Sequence, residues 1–293
     1  MNSLGVISMV YARPFTAEHL PLLGRIRAAG LDFVELLVPE PGELELAETR
    51  AALDDSGLGV VLAARVNLAR DLASTDAASF RAGVDYLRTC VHVARALGAA
   101  IVGGPLYGAP LVFAGRAPAP VPEVERRRRV DQVTAGLKET AAYADEAGVT
   151  LAVEPLNRFE TDFANTIDQG LDILNRVDSP GLGLLLDTFH MNMEESDLAA
   201  AALRAGSHIA YVQANENHRG FVGTGHVDWP AFVEALVQTG YRGPIGLEPF
   251  RRNDGRLGVP LAQWRPPTEN EDGPLAESAA YLRRLIAARR EAA

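Results

Sequence analysis

The 293-residue sequence contains one cysteine, Cys90. A single thiol closes no internal disulfide and supplies no cysteine-rich zinc site. Within the apolar helical pattern YLRTCVHVARAL, Cys90 reads as a small buried hydrophobe rather than a nucleophile. Positive charge is in short supply: 28 Lys and Arg face 38 Asp and Glu, a net charge of −10. Such a chain repels a phosphate backbone, so no nucleic-acid partner is expected. The one basic run, RRRR at 126–129, lies in VERRRRVDQV, where helical spacing spreads the charges over a solvated face. Long apolar runs are missing as well. No stretch approaches the roughly 18 residues of a membrane span, so no membrane partner is expected. MNSLGVISMV lacks the basic start and long apolar run of a signal peptide, which makes a cytoplasmic location the expectation. A dinucleotide fingerprint is also lacking: GGPLYG at 103–108 comes nearest and does not have the G-x-G-x-x-G spacing.

What is present is a regular alternation. Hydrophobic residues make up 47% of the chain, enough for a large core. Short apolar runs at 4–10, 32–38, 59–64, 99–104, 149–154, 182–187, 208–215 and 244–248 read as strands. Helical spacing fills 16–29, 43–56, 76–97, 123–147, 166–177, 195–205, 229–239 and 274–290. Helix-ending glycines precede most of the strands, as in AAG at 28–30, ALG at 96–98 and EAG at 146–148. Eight β–α units with no linker between halves predict an α/β protein, a (β/α)8 TIM barrel forming one domain over 1–293. Two long segments, 104–122 and 251–273, are expected to loop over its mouth. A doubly wound sheet is the rival.

In such a barrel the chemistry sits where strands end. Glu154 ends the fifth run, within EPLNRFE. Asp187 ends the sixth, within LDTFHMNMEE. Gln213 and then Glu216 follow on the seventh, AYVQANENHRG, where Tyr211, Gln213 and Asn215 share one face. Glu248 ends the eighth, within LEPF. Carboxylates gathered at one dry mouth repel and raise one another's pKa, and a divalent cation is the simplest way to hold them ionised. A lone acid at a strand end often caps the next helix, a reading that applies to Asp187. Glu is a poor cap, and Glu154 and Glu248 are each followed by a proline that restricts the backbone at the acid. His190, three residues beyond Asp187, is placed beside the same mouth.

EPLNRFE, LDTFHMN, ENHRG and GLEPF together resemble the sugar isomerase and epimerase superfamily of xylose isomerase-like barrels, and within it the D-tagatose (D-psicose, D-allulose) 3-epimerase group. DFVEL, LASTDAA, GGPLYG and the tryptophan segment at 258–265 extend the resemblance along the chain. It implies that Glu154 and Glu248 bind the metal and move the proton, and that Asp187 is a further ligand. Glu160 would contact the sugar near its carbonyl, and His190 and Arg219 would hydrogen-bond its oxygens. The expected metal is Mn²⁺ or Mg²⁺, with Co²⁺ an option, and the expected partners are a small-molecule sugar and copies of this chain in a homodimer or homotetramer.

The sequence also departs from that group. The group's fourth ligand is a histidine, and Gln213 stands in its place. An amide oxygen keeps the site neutral at that position and makes an all-oxygen shell, which favours Mg²⁺ or Mn²⁺. His208 has the wrong strand parity to substitute, and His218 and His226 lie in the loop. The first strand lacks the group's aromatics, and Arg65 ends the third strand where a small residue is usual. Arg65 and Arg219 would suit a carboxylate-bearing sugar. The implied activity is epimerisation or isomerisation of a ketose or related keto-sugar, by proton abstraction next to a metal-bound carbonyl through a cis-enediolate. The alternative is a lyase or dehydratase acting on a keto-sugar or 3-keto-glycoside. A nuclease would need more histidine and a basic face, and a non-catalytic sugar binder would not need both glutamates.

Overall fold

Eight parallel strands close on themselves in chain order in a computed structural model that describes residues 2–110, 119–250 and 270–292. They are β1 (Leu4–Ile7), β2 (Phe33–Leu37), β3 (Gly59–Ala63), β4 (Ile101–Gly104), β5 (Thr150–Val153), β6 (Leu182–Asp187), β7 (Ile209–Ala214) and β8 (Ile245–Leu247). β1 pairs with both β2 and β8, so the sheet is a closed barrel and the doubly wound rival is excluded. The helices are α1 (Leu22–Ala28), α2 (Leu46–Ser56), α3 (Ala77–Leu97), α4 (Glu123–Glu146), α5 (Ile167–Val177), α6 (Thr188–Glu194), α7 (Leu198–Ala205), α8 (Trp229–Gln238) and α9 (Asp272–Ala292).

Local chemistry sets the boundaries. Asp76 caps α3 by accepting from Ser79 N at 2.8 Å, and Gly98 ends it in the left-handed conformation at φ 76°. Thr166 and Gln169 form a capping box at the start of α5. The single helix expected over 16–29 is instead a short 3-10 turn, Ala17–His19, followed by α1. Pro21 lies between them; it lacks an N–H and suits the start of a helix rather than its interior. α6 was not expected as a separate helix. The middle of the loop expected at 104–122, and most of that expected at 251–273 with its tryptophan segment, lie outside the described residues.

Two apolar layers result. The larger core lies between strands and helices, where Leu4, Val34, Leu62, Val102, Leu151, Leu184 and Val212 are all fully buried. A smaller cluster of Phe33, Val61, Ala152, Leu185 and Tyr211 plugs the barrel interior. It is built from inward positions, alternating with the outer core along each strand. A methyl group at Gly246 would collide with the Tyr211 hydroxyl, so β8 approaches this plug only as glycine. Cys90 is fully buried on α3, and burial pushes its thiol up to about 12, as an inert core residue requires. Within the basic run, Arg126, Arg127 and Arg128 are exposed, the solvated face expected, with Arg128 paired to Glu125 and Arg127 to Glu123, whereas Arg129 is partly buried, pairing with Asp162 at 2.9 Å and lying over the Phe163 ring. No helix among the described residues is long and apolar enough to cross a membrane.

Candidate active site in the barrel mouth

A cavity of about 380 Å³ opens where the strands end. Strand register explains what lines it. Asp187 lies opposite Gln213, and Gln213 opposite Gly246, which brings Glu248 round to the same end. Glu154 follows β5 directly, its backbone N–H donating to Gly104 O at 3.0 Å. Glu154, Gln213, Glu248, Glu160, His190 and Arg219 all border the cavity. Asp187 lies just behind this lining and is 1% exposed.

Asp187 performs the capping function considered for it. Its Oδ1 caps α6 by accepting from Phe189 N at 2.7 Å and takes a second bond from Asn215 Nδ2 at 2.9 Å. Its Oδ2 accepts from Arg219 Nη1. Burial pushes this carboxyl up, but the Arg219 charge and these hydrogen bonds bring it below its usual range. Arg219 also places Nη2 3.2 Å from Glu248 Oε2, an ion pair without the alignment of a full hydrogen bond. Its guanidinium is held between the Phe189 and Phe250 rings, 4.6 Å from each centroid. The backbone at Arg219 is left-handed, φ 58°, and its carbonyl accepts from Phe250 N at 2.8 Å. Strain of this kind at a non-glycine residue collects at functional sites.

The tautomer of His190 follows from its neighbours. Asn157 N donates to His190 Nδ1 at 3.1 Å. Nδ1 must therefore carry the lone pair, leaving the proton on Nε2. Nε2 lies 3.5 Å from Glu154 Oε1 and 3.6 Å from Asp187 Oδ2. Burial holds this histidine below its usual range, so the ring is neutral and faces the acids as a donor. Glu154 and Glu248 are both pushed well above the usual carboxylate range, first by burial and then by neighbouring acids including Asp187.

Gln213 is 3% exposed and donates Nε2 to Glu35 Oε1 at 2.9 Å. Tyr211 donates its hydroxyl to Glu35 Oε2 at 2.7 Å. Glu35, on β2, is fully buried and borders the same cavity; burial pushes its carboxyl up to about 7, against the pull of those two bonds. With the Gln213 amide nitrogen committed, its oxygen is a buried acceptor without a partner among the described residues.

The other expected residues separate. Glu160 borders the cavity and accepts from Asn157 Nδ2 at 2.9 Å. Arg65 borders it too, paired with Glu43. Glu216 turns away: it accepts from Trp229 Nε1 and Gly223 N, each at 2.7 Å, and fastens the loop between β7 and α8. Sequence reading missed Glu35 and Asn157, and placed Asn215 on the inward face without giving it a role. Glu35 carried a usable signal, an acid at the centre of the apolar run DFVELLV on the parity of Phe33. Asn157 and Asn215 are ordinary loop and strand-end residues whose partners arrive from elsewhere in the chain.

These residues fit a divalent cation. Donor atoms of Glu154, Asp187 and His190 lie within 4.8 Å of one another. His190 fits poorly as a ligand: coordination through Nε2 would move its proton to Nδ1, against the Asn157 N–H. Gln213 Oε1 and Glu248 Oε2 are buried acceptors without a hydrogen-bond partner among the described residues, although Glu248 lies outside that cluster of three. Glu154, Asp187 and Glu248 against the one guanidinium leave two negative charges, the number a dication cancels.

Comparison with known proteins places the chain in a family. The family model described as xylose isomerase-like TIM barrel matches residues 23–285. An L-ribulose 3-epimerase of Methylomonas sp. (strain DH-1) is 37% identical over 239 residues, 81% of each chain. A solved L-ribulose 3-epimerase superposes with a TM-score of 0.90 at 31% identity, covering 99% of this chain and 96% of that one. A D-allulose 3-epimerase from Methylomonas sp., solved in complex with D-allulose, gives 0.88 at 31% identity, covering 97% and 96%.

Proposed function

Because the chain belongs to the xylose isomerase-like TIM barrel family, with 3-epimerases among its relatives, we propose that it is a metal-dependent ketose 3-epimerase. The observation that carries the reading is the pair Glu154 and Glu248. They reach one cavity from β5 and β8, both buried, with a neutral histidine donor beside Glu154. Inversion at a carbon requires a group on each of its faces, and acids from separate strands supply that. No described residue favours elimination over reprotonation, so the lyase alternative gains nothing.

We assign Glu154, Asp187, Glu248 and the Gln213 amide oxygen to hold the cation, with Mn²⁺ or Mg²⁺ suited to four oxygen donors and Co²⁺ acceptable. The bound cation supplies positive charge next to the sugar oxygens that become negative during enolisation. One glutamate removes the proton from the carbon beside the carbonyl, and the other returns a proton to the opposite face. His190 Nε2–H donates to a sugar oxygen on the Glu154 side. Arg219 and Glu160 orient the remaining hydroxyls, and the Phe189 and Phe250 rings keep the guanidinium in its plane.

Purified protein incubated with a panel of ketoses and Mn²⁺ in D₂O should incorporate deuterium at C3 and yield the C3 epimer. Absence of C3 exchange across the panel would overturn the assignment, and exchange accompanied by an unsaturated product would establish the lyase instead.

A further inference from the structure

The cavity lining mixes charges. Its acids are Glu35 and Glu40 from β2 and the segment after it, with Glu154, Glu160 and Glu248, and the segments after β1 and β3 add Arg13, Arg65 and Arg70. Two of these are matched: Arg65 pairs with Glu43, and Arg70 pairs with Glu40 while stacking 3.7 Å from the centroid of the Tyr86 ring. Arg13 has no acidic or hydrogen-bonding partner among the described residues. It is half-buried, and burial together with the nearby Arg65 charge lowers its pKa. A partly desolvated cation beside a like charge is unfavourable unless an anion completes the group.

Taking the 3-epimerase reading as its basis, we propose that the substrate is a keto-sugar with one anionic group, a carboxylate or a phosphate, at the end remote from its carbonyl. Arg13, helped by Arg65, binds that group. A cavity of about 380 Å³ lies at the small end of ligand sites, the size for one monosaccharide with its carbonyl at the acids and its tail at the arginines. A guanidinium matches the paired oxygens of either anion, and binding one there removes both the repulsion and the unmet solvation of Arg13.

The test compares three ketoses of the same carbon skeleton: the neutral sugar, the sugar with a C6 carboxylate and the sugar with a C6 phosphate. Deuterium exchange at C3 gives kcat/KM for each with wild type, Arg13→Ala and Arg13→Lys. Wild type should favour one anionic sugar over the neutral one by about 10-fold or more, the scale of one charge-assisted bond. Which anion leads identifies the group. In Arg13→Ala that ratio should fall towards one, and Arg13→Lys should restore part of it. Equal or better turnover of the neutral sugar by wild type would overturn the anion site and leave the epimerase reading intact. If no sugar exchanges, calorimetric binding of the same three sugars still decides: tighter binding of an anionic sugar that Arg13→Ala abolishes supports the site, and equal binding of all three removes it.

Discussion

Gln213 on β7 and Glu35 on β2 meet across the barrel interior, Nε2 donating to Oε1 at 2.9 Å. The contact decides which end of the amide faces the cavity. When Glu35 is ionised it accepts only, so the NH₂ turns to Glu35 and the oxygen turns inward, where it lacks a partner among the described residues. Glu35→Gln removes that constraint, because the new side chain can donate as well as accept and the Gln213 amide can flip. The expected result is a folded protein whose affinity for Mn²⁺, measured by titration of metal-stripped samples, drops about 10- to 100-fold, the usual effect of losing a group that orients a ligand. Unchanged affinity would mean that the Gln213 oxygen is not a ligand or does not depend on Glu35.

The barrel was legible because its signals are local. Parity within AYVQAN placed Tyr211, Gln213 and Asn215 on one face, and all three point inward, to Glu35, Glu35 and Asp187. The acids at the ends of β5, β6 and β8 were legible for the same reason. What escaped depends on chain returning from a distance. Arg219 reaches Asp187 only because the loop after β7 turns through a left-handed residue, which no spacing rule announces. Glu216 was grouped with the mouth acids by proximity in sequence, yet Trp229, thirteen residues on, claims it. α6 was not expected because TFHMNME continues from the strand without a glycine or proline, and its start is marked only by Asp187, for which a cap and a ligand reading both stood.

In the proposed mechanism Glu248, buried at the cavity, exchanges a proton with the substrate. Glu248→Gln keeps size and hydrogen bonding but neither accepts nor returns that proton. Turnover should fall by on the order of 10²-fold or more with the thermal transition of the protein preserved. Near-normal rates in the pure variant would remove Glu248 from the mechanism.

His190 is assigned as a donor because Asn157 N occupies its Nδ1. His190→Ala should therefore purify with metal content close to wild type while kcat/KM falls by on the order of 10²-fold. A metal-free variant would make His190 a ligand and require the Asn157 contact to break on binding.

Arg219 lies between two buried carboxylates, touching Asp187 and standing 3.2 Å from Glu248. Removing one partner of such a group leaves buried negative charge uncompensated, at a cost of about 3–5 kcal/mol. Metal-stripped Arg219→Ala should unfold at clearly lower denaturant than stripped wild type. Saturating Mn²⁺ should recover more of the midpoint in the variant than in wild type, since the same carboxylates gain more from the ion. Equal responses to Mn²⁺ in the two proteins would place the ion away from Asp187 and Glu248.

Under the proposed ligand set, Gln213 would set which ions the site prefers. Glu154, Asp187, Glu248 and an amide oxygen would form a hard, all-oxygen shell, suited to Mg²⁺ and Mn²⁺. Gln213→His puts an imidazole at the same inward position of β7, close in volume and still able to donate to Glu35 through one nitrogen while presenting the other to the cavity. Imidazole suits Co²⁺, Ni²⁺ and Zn²⁺ better than Mg²⁺. The variant should therefore bind those ions more tightly relative to Mg²⁺ than wild type does, by about 10-fold or more, the scale of one ligand's contribution. Direct titration of stripped wild type and variant with each ion reads this out without reference to turnover. Identical preferences in both proteins would take Gln213 out of the metal shell, leaving three carboxylates to hold the ion and Glu35 with only the barrel plug to support.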